Sequence, residues 1–529
     1  MIKHENDWLY EIREFDRDIY RRVLPAESPL LDALDWIPWE SFTPELESYY
    51  SANEGTPSIP PLIMLKLEFL KYLYRLSDRG VIDRATTDLL FRWFLQVPVR
   101  YSLPCPTSLT KFRGRLGDQG YRKLFDRLVR CARDQNLVRD RLRLKDASHV
   151  LANIAVPSSL GLLAQLRKQM LEVVAKLDLQ AAAGFQIALQ QVQSDTEHQS
   201  DDLKLQGRLA LVIDILGWMK SCSVPTAPTD GQNAATWHQL QAVSQLAEKI
   251  VNDFQNPGQG DRLLSVVDPD ARRGKHGDFF DGFLVDVMMD ADSQLITTMD
   301  VIAANGEEAK DTIGLVRMEY EAHGNQIEQV SLDGIGFHGE TLRTLEAPDG
   351  LSVDVITPPR VFNTTAGFSS DEFQLSEDGL HMICPAGKTS GRASRRKDKP
   401  NNTFYTFSGT LCATCALLNL CHPGMKAQSR TGRRVSKNDY DAEYARAREK
   451  ATTPRYQAVR REHPAIERKL NEIVRHHAGR RALFWGQAKV RMQELMICFT
   501  VNVKRMVRLL NGQRDALRAV AMQSGQTRD

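Results

Sequence analysis

The sequence predicts a mixed α/β protein in which helices pack on a central sheet, with all-helical segments before and within it. Three observations carry that reading. The stretches RLRLKDASHVLANIAV, GFLVDVMMDADSQLITTMDVIAANG, IEQVSLDGIGF and LSVDVITPP alternate apolar with polar residues and are rich in Val, Ile and Leu, as strands are. Between the later ones lie GEEAKDTIGLVRMEYEAHG and HGETLRTLEA, with apolar residues at helical spacing, so the order is strand, hairpin, helix, strand, helix, strand. The first 140 residues and the span 158–261 are instead helical in pattern.

Each element has a local reason. Pro60 and Pro61 open IPPLIMLKLEFLKYLYRLSDRG, where proline suits a first helical turn. After the turn YSLPCP, Thr107 or Ser108 is placed to cap the helix SLTKFRGRLG. That helix bears Lys111, Arg113 and Arg115 and is the natural one to present to a DNA groove; the same pattern also fits a docking domain that touches no DNA. The span 158–261 reads as a helical insertion with a flexible connection near Pro225 to Gly231. DADS, inside the second strand stretch, reads as the turn of an antiparallel hairpin.

The expected units are a helical domain over 1–140, a core over 141–157 and 262–365, the insertion over 158–261, a cysteine-bearing insertion over 366–430, core-completing helices over 431–510, and a flexible tail over 511–529.

Charge is balanced overall, 69 Lys and Arg against 67 Asp and Glu, which excludes a uniformly basic nucleic-acid binder. Locally it is not balanced. Cations crowd Lys111 to Arg143, the loop GRASRRKDK with Arg392, Arg395 and Arg396, and most of the chain after Arg430. Each run alone reads as a solvated face, and three together point to phosphate contacts. The charged start MIKHENDWLYEIREFDRDIY lacks the apolar centre of a signal peptide, and no apolar run reaches the roughly 20 residues that cross a bilayer. The expectation is a soluble, cytoplasmic protein whose thiols stay reduced.

In that compartment the spacing of Cys384, Cys412, Cys415 and Cys421 acquires meaning. CATCALLNLC sets Cys412 and Cys415 two residues apart across a tight turn, and Cys384 in HMICPAGK can return as a fourth thiolate. This is the pattern of a structural tetrahedral Zn2+ site, the alternative being reduced, unrelated thiols. Cys105, Cys131, Cys222 and Cys498 read as isolated buried thiols.

The carboxylates form a second pattern. Asp146 lies in the first strand and Asp333 at the C-terminal end of a later one, where open sheets place their ligands. A third acid belongs on a neighbouring helix. Glu467, in RYQAVRREHPAIERKLNEIVRHHAGRRALFWG, is the best candidate, with Arg460, Arg468, Lys469 and Arg475 around it. Glu462 and Glu472 compete for that role. Converging carboxylates call for divalent cations, and two such ions suit phosphoryl displacement. His149 points to the opposite sheet face from Asp146, and Asp268 with Asp270 reads as a turn with Arg272, the alternative being that the two assist the site. His476 and His477 are expected on the solvent or DNA side, with Phe484 and Trp485 as core aromatics or base-stacking groups.

The chain resembles the DDE transposases of bacterial insertion sequences, in the subgroup with a helical N-terminal domain and a late four-cysteine knuckle. The resemblance rests on PTSLTKFRGRLG, KDASHVLANIA, DPDARRGKHGDFFDGFLVDV, VSLDGIGFHGE, ICPAGK with CATCALLNLC, RREHPAIERKLNEIVRHHAGRRALFWGQAKVRMQ and NVKRMVRLL, in that order from about Pro60 to Leu510.

It implies a ribonuclease H-like catalytic core and a triad of Asp146, Asp333 and Glu467. The triad would hold two Mg2+ or Mn2+ ions, and the four cysteines a structural Zn2+. It also implies hydrolysis at the element ends, attack of the released 3′-OH on target DNA, double-stranded DNA as partner, and a homodimer or larger assembly on DNA at the bacterial nucleoid. Two phrases depart from the family: Asp333 is followed by Gly-Ile-Gly-Phe rather than Gly-Tyr, and GFLVDV replaces Gly-Tyr-Lys, so the lysine that would contact DNA there is missing. A metal-dependent nuclease without strand transfer, or a domesticated DNA-binding protein, are the alternatives.

Overall fold

The computed structural model of the chain describes residues 11–55, 57–222, 231–258, 260–348, 350–360, 367–425 and 429–526. The connection expected near Pro225 lies outside them. The chain begins with helices α1 (Glu14–Val23), α2 (Pro29–Trp36), α3 (Thr43–Glu47), α4 (Pro61–Tyr74), α5 (Asp78–Thr87), α6 (Leu89–Leu95) and α7 (Pro106–Asp134). Strand β1 (Arg143–Leu151) leads to α8 (Ser159–Leu177), α9 (Leu179–Thr196), α10 (Asp201–Ser221) and α11 (Gly231–Gln255). Then come β2 (Arg272–His276), β3 (Asp278–Asp290), β4 (Ile296–Ala303), α12 (Glu308–His323), β5 (Gln329–Ser331), α13 (Gly339–Glu346) and β6 (Asp354–Ile356).

The short strands β7 (Gln374–Leu375), β8 (Met382–Ile383) and β9 (Ser394–Arg396) precede β10 (Lys399–Ser408), α14 (Gly409–Ala413), α15 (Leu418–Cys421) and β11 (Thr431–Asn438). Helices α16 (Asp441–Ala451), α17 (Pro454–Glu462), α18 (Pro464–His476) and α19 (Gln487–Gln526) close the described chain. The stretch expected as a tail from residue 511 continues α19 instead. Helix α7 starts at Pro106 after Cys105, earlier than a Thr107 or Ser108 cap would give, because proline fills the first-turn position. It bends at Gly117, whose φ of 61° breaks the helical run.

By contacts the chain divides into two units, one of residues 1–139, 147–307 and 466–529, the other of residues 140–146 and 308–465. In the first, α19 packs on α2, α4 and α7. Trp39, Phe42, Phe69, Phe94 and Phe499 meet there with ring centroids 5.3–6.2 Å apart. Strands β3 and β4 form the antiparallel hairpin expected around DADS, with Val285 opposite Val301. Strand β2 pairs antiparallel with β3, Arg272 opposite Gly282.

Gly282 is needed where it stands. Its φ is +156°, and a Cβ there would meet the Val150 carbonyl at 2.0 Å. The end of β1 is tied to the chain ahead of α19 through Leu151 N–H to the Arg480 carbonyl and Ala482 N–H to the Leu151 carbonyl, both 2.9 Å. Helix α19 has its start capped from a distant turn. Asp268 Oδ1 accepts from Gly486 N–H at 3.0 Å and Asp270 Oδ2 from Gln487 N–H at 2.9 Å.

In the second unit the first residues of β1 pair with β5, and β5 with β6, all parallel. Helices α12 and α13 pack together, and α16 packs on α13 and β6. Arg143, fully buried, is held by Glu319 at 2.6 Å and Asp140 at 2.9 Å. A small antiparallel sheet orders β11, β10 and β9, and β7 pairs with β8. Parallel and antiparallel pairs both occur among many helices, the mixed α/β class the sequence predicts, and the element order is consistent with a ribonuclease H-like core. Among the described residues no helix is long and apolar enough to cross a membrane.

Candidate active site

Asp146 and Asp333 each follow the parallel pairing of β1 with β5. Arg143 pairs with Val330 and Leu144 with Ser331 in that ladder. Asp146 lies two residues past Leu144, still on β1, and Asp333 lies two residues past Ser331, in the turn that follows β5. Both acids are half-buried. Asp333 ends its strand by capping the turn Gly334–Gly336, its carboxylate accepting from Ile335 N–H at 3.0 Å. Its carbonyl accepts the Thr357 hydroxyl at 2.7 Å, and Arg360 Nε donates to the Gly334 carbonyl at 3.1 Å. Gly336 is needed in that turn, since a Cβ there would meet the Leu332 side chain at 2.5 Å.

Behind Asp333 stands a group the sequence reading missed. His463 is buried, and its Nδ1 lies 3.0 Å from the Ser331 hydroxyl. Burial, helped by the Arg460 charge, pushes this imidazole down to about 4, so it is neutral at pH 7. Arg460 Nη1 donates to the Leu332 carbonyl at 2.7 Å and the Ser331 hydroxyl at 3.3 Å, so this cation steadies the strand end that carries Asp333. A serine two residues before an acid on one strand face was the available signal.

Glu467 is exposed in the first turn of α18, where the helix dipole favours an acid. Its two competitors are engaged elsewhere. Glu462 makes a two-pronged pair with Arg141 at 2.8 and 3.2 Å. Glu472 lies between Lys469 and Lys504 at 3.0 and 3.1 Å; burial opposes its charge, but the two ammonium groups prevail and hold the carboxyl down to about 2.

The expected DNA-contacting cations fall into two groups. Lys111 and Arg115, one helical turn apart, are exposed, as are Arg392, Arg395, Arg396, Arg468 and Arg475. Arg115 lies over the Tyr50 ring at 4.2 Å, Arg395 pairs with Asp439 at 2.9 Å and Arg396 with Asp398 at 2.7 Å. Arg113 corrects the expectation. It is 6% exposed, held by Glu68 at 2.9 Å and Asp78 at 2.5 Å, and serves the interior. His477 is likewise buried, between the Tyr72 carbonyl and Lys504, rather than facing solvent. Trp485 is half exposed with its indole N–H on the Asn153 carbonyl, while Phe484 lies under Lys71 and Arg113. His149 rests on Phe280 and Arg480.

Cys384, Cys412, Cys415 and Cys421 line one pocket with Phe373, Phe407 and Arg433. Lys388 N–H points at Cys384 Sγ from 3.4 Å, and a Cβ at Gly432 would sit 2.4 Å from Cys412 Sγ, so the thiols occupy a cradle that larger neighbours would fill. Burial raises the Cys421 thiol, and the nearness of Cys412, Cys384 and Cys415 adds to it. Four soft sulfur donors suit zinc. Among the described residues no group of three or more His, Cys, Asp or Glu is already arranged to hold a metal ion. Of the thiols expected to be buried, Cys131 and Cys498 are, but Cys105 is exposed and its thiol is drawn down to about 7 by the Ser108 and Thr107 hydroxyls.

Two family models match the chain. Residues 18–115 match one described as “Transposase domain (DUF772)”, and residues 383–507 match one described as “Transposase DDE domain”. These two matches support a DDE transposase of insertion sequences. The first match runs through the helices up to Arg115; the second takes in the four cysteines, Glu467 and much of α19. No curated protein and no solved structure matches. A transposase of this family binds DNA and acts on it as an enzyme of the nucleotidyl-transferase type.

Proposed function

We propose that this transposase cleaves DNA at the ends of its insertion sequence and transfers the released 3′-OH into target DNA. Asp146, Asp333 and Glu467 would be the residues that hold divalent cations. The observation that supports this most is that Asp146 and Asp333 each stand two residues past Leu144 and Ser331, which pair β1 with β5 in parallel. Two Mg2+ or Mn2+ ions, when bound, supply charge neutralisation at the attacking and leaving oxygens.

What this chain contributes is orientation. The Ile335 amide fixes one Asp333 oxygen and leaves the other for a ligand. The neutral His463 adds no positive charge beside that acid, while Arg460 is committed to backbone and hydroxyl. Lys111, Arg115, Arg392, Arg395, Arg396, Arg468 and Arg475 are the cations for DNA phosphates, and Arg460 is a positioning residue. The four cysteines would hold a structural Zn2+ that stiffens the base of the β9–β10 hairpin, where Arg395 and Arg396 lie. This reading puts the protein in the cytoplasm, at the nucleoid.

The test is incubation with labelled element ends, a target plasmid and Mg2+, comparing wild type with Asp146→Asn, Asp333→Asn and Glu467→Gln. Joined products from wild type alone support the assignment. Cleavage without joining leaves a nuclease, and binding without cleavage in every protein leaves a DNA-binding protein.

A further inference from the structure

Two arginines of the helical insertion stand together without a counter-charge among the described residues. Arg167 on α8 and Arg208 on α10 are both half-buried. Helices α8 and α10 pack together. Burial raises the thiol of Cys222, at the end of α10, and the charge of Asp178, at the end of α8, adds to that rise. The two ends are therefore neighbours, and the two helices run the same way. Each arginine stands about two turns from the start of its helix, so both share one level of the bundle. Burial lowers the pKa of the Arg167 guanidinium, and the charge of Arg208 lowers it further. No carboxylate among the described residues pairs with either side chain. Arg208 Nε is buried without a hydrogen-bond partner.

Arg113, Arg143 and Arg491 show how sheltered arginines are kept elsewhere in this chain, each held by two carboxylates. Two guanidinium groups set side by side with no acid leave both their charge and their donors to an anion from outside. We propose that Arg167 and Arg208 form a binding site for a phosphate group. Guanidinium forks match phosphate oxygens two at a time, and forks from two neighbouring helices can share one tetrahedral group. Lys204, one turn before Arg208 on the same face of α10, adds a third cation. Its acid, Asp201, is 4.0 Å away and largely exposed, so it neutralises little. Such a group comes either from the backbone of bound DNA or from free inorganic phosphate, and the chemistry is common to both. The site stands on the charges of the insertion and not on the acids assigned to the reaction, so either reading can fail without the other.

The test uses the full-length protein and two probes, inorganic phosphate and a labelled duplex of the element end. The variants are Arg167→Gln and Arg208→Gln, with Lys168→Gln as control, an exposed cation next to Arg167 in sequence. Without phosphate, both arginine variants should melt at or above the wild-type temperature, because the repulsion is gone. Millimolar phosphate should raise the melting temperature of wild type and of Lys168→Gln and leave the arginine variants unmoved. Each arginine variant should bind the duplex roughly 3–10-fold more weakly, with the slope of log affinity against log salt flatter by about one. That fall assigns the site to the DNA backbone; a lost phosphate response with duplex affinity intact assigns it to free phosphate. Arginine variants indistinguishable from wild type with both probes overturn the proposal, as does a Lys168→Gln that loses as much as they do. Arginine variants that melt lower without phosphate overturn it too, because the guanidinium groups then serve the chain's own packing.

Discussion

Asp146 and Asp333, 187 residues apart in sequence, each stand two residues past a pair, Leu144 and Ser331, that joins β1 to β5. Parallel strands point the same way, so both carboxylates follow the paired segment at the same end of the ladder. Asp146→Asn and Asp333→Asn keep shape and hydrogen bonding while removing charge. Each is expected to slow cleavage of element ends by roughly 10³-fold or more, the loss of several kcal/mol of cation-dependent stabilisation. Gel-shift affinity for the same DNA should stay within a few fold.

Arg113 and its neighbours Lys111 and Arg115 should separate cleanly. Removing Arg113 leaves Glu68 buried without its cation, so Arg113→Ala is expected to cost about 3–5 kcal/mol in urea unfolding. Lys111→Ala and Arg115→Ala should leave that midpoint nearly unchanged. They should weaken DNA binding and flatten its salt dependence by about one counterion each.

Glu494 is fully buried in α19, and burial pushes its carboxyl up to about 8. The folded protein therefore keeps a proton that the unfolded chain releases above its ordinary value of 4.5. Stability falls as pH rises from 4.5 to about 8, and the cost is absent below 4.5. Glu494→Gln mimics the protonated form. It should stabilise the protein by roughly 2–3 kcal/mol at neutral pH and by nothing at about pH 4, read from paired urea titrations.

His463 carries the opposite sign. Its folded value of about 4 lies below the ordinary 6.5, so folding favours the neutral ring. That contribution is complete above 6.5 and is lost as pH falls through 6.5 towards 4. Compared with His463→Gln, wild type should lose on the order of 2–3 kcal/mol across that window. A constant difference between the two would show that the ring does not titrate there.

The cysteine pocket makes a compositional claim. Purified protein should contain one zinc per chain by elemental analysis, and Cys412→Ser or Cys415→Ser should release it. Thiol labelling of the remaining cysteines would rise on chelation, since thiolates bound to a metal are shielded. Zinc-free protein with unchanged melting would leave the four thiols as ordinary reduced side chains.

Much of this architecture is legible in residue order. The alternating run of β3 and β4 around Asp290 to Ser293 specifies its own hairpin, and helices α12 and α13 announce themselves by apolar spacing. Asp146 could be assigned to a strand and Asp333 to the end of one because strand limits are local properties. Arg113 could not be placed. A cation at helical spacing looks the same whether it meets solvent or a buried acid, and Glu68 lies 45 residues away. His463 and His477 were hidden for the same reason, their burial being decided by Ser331 and Tyr72 on distant segments. The length of α19 was misjudged because a polar helical end resembles a loose tail in composition.

The start of α19 is finished by carboxylates that lie 218 and 217 residues earlier in the chain. A fragment beginning at Gly486 would carry every residue of the helix and still lack the acceptors for its first free amides. On the ribosome the order runs the favourable way, because Asp268 and Asp270 emerge long before the helix that needs them. The last helix of the chain is thus completed by a piece of protein already made, and assembly from separate halves would depend on the two finding each other.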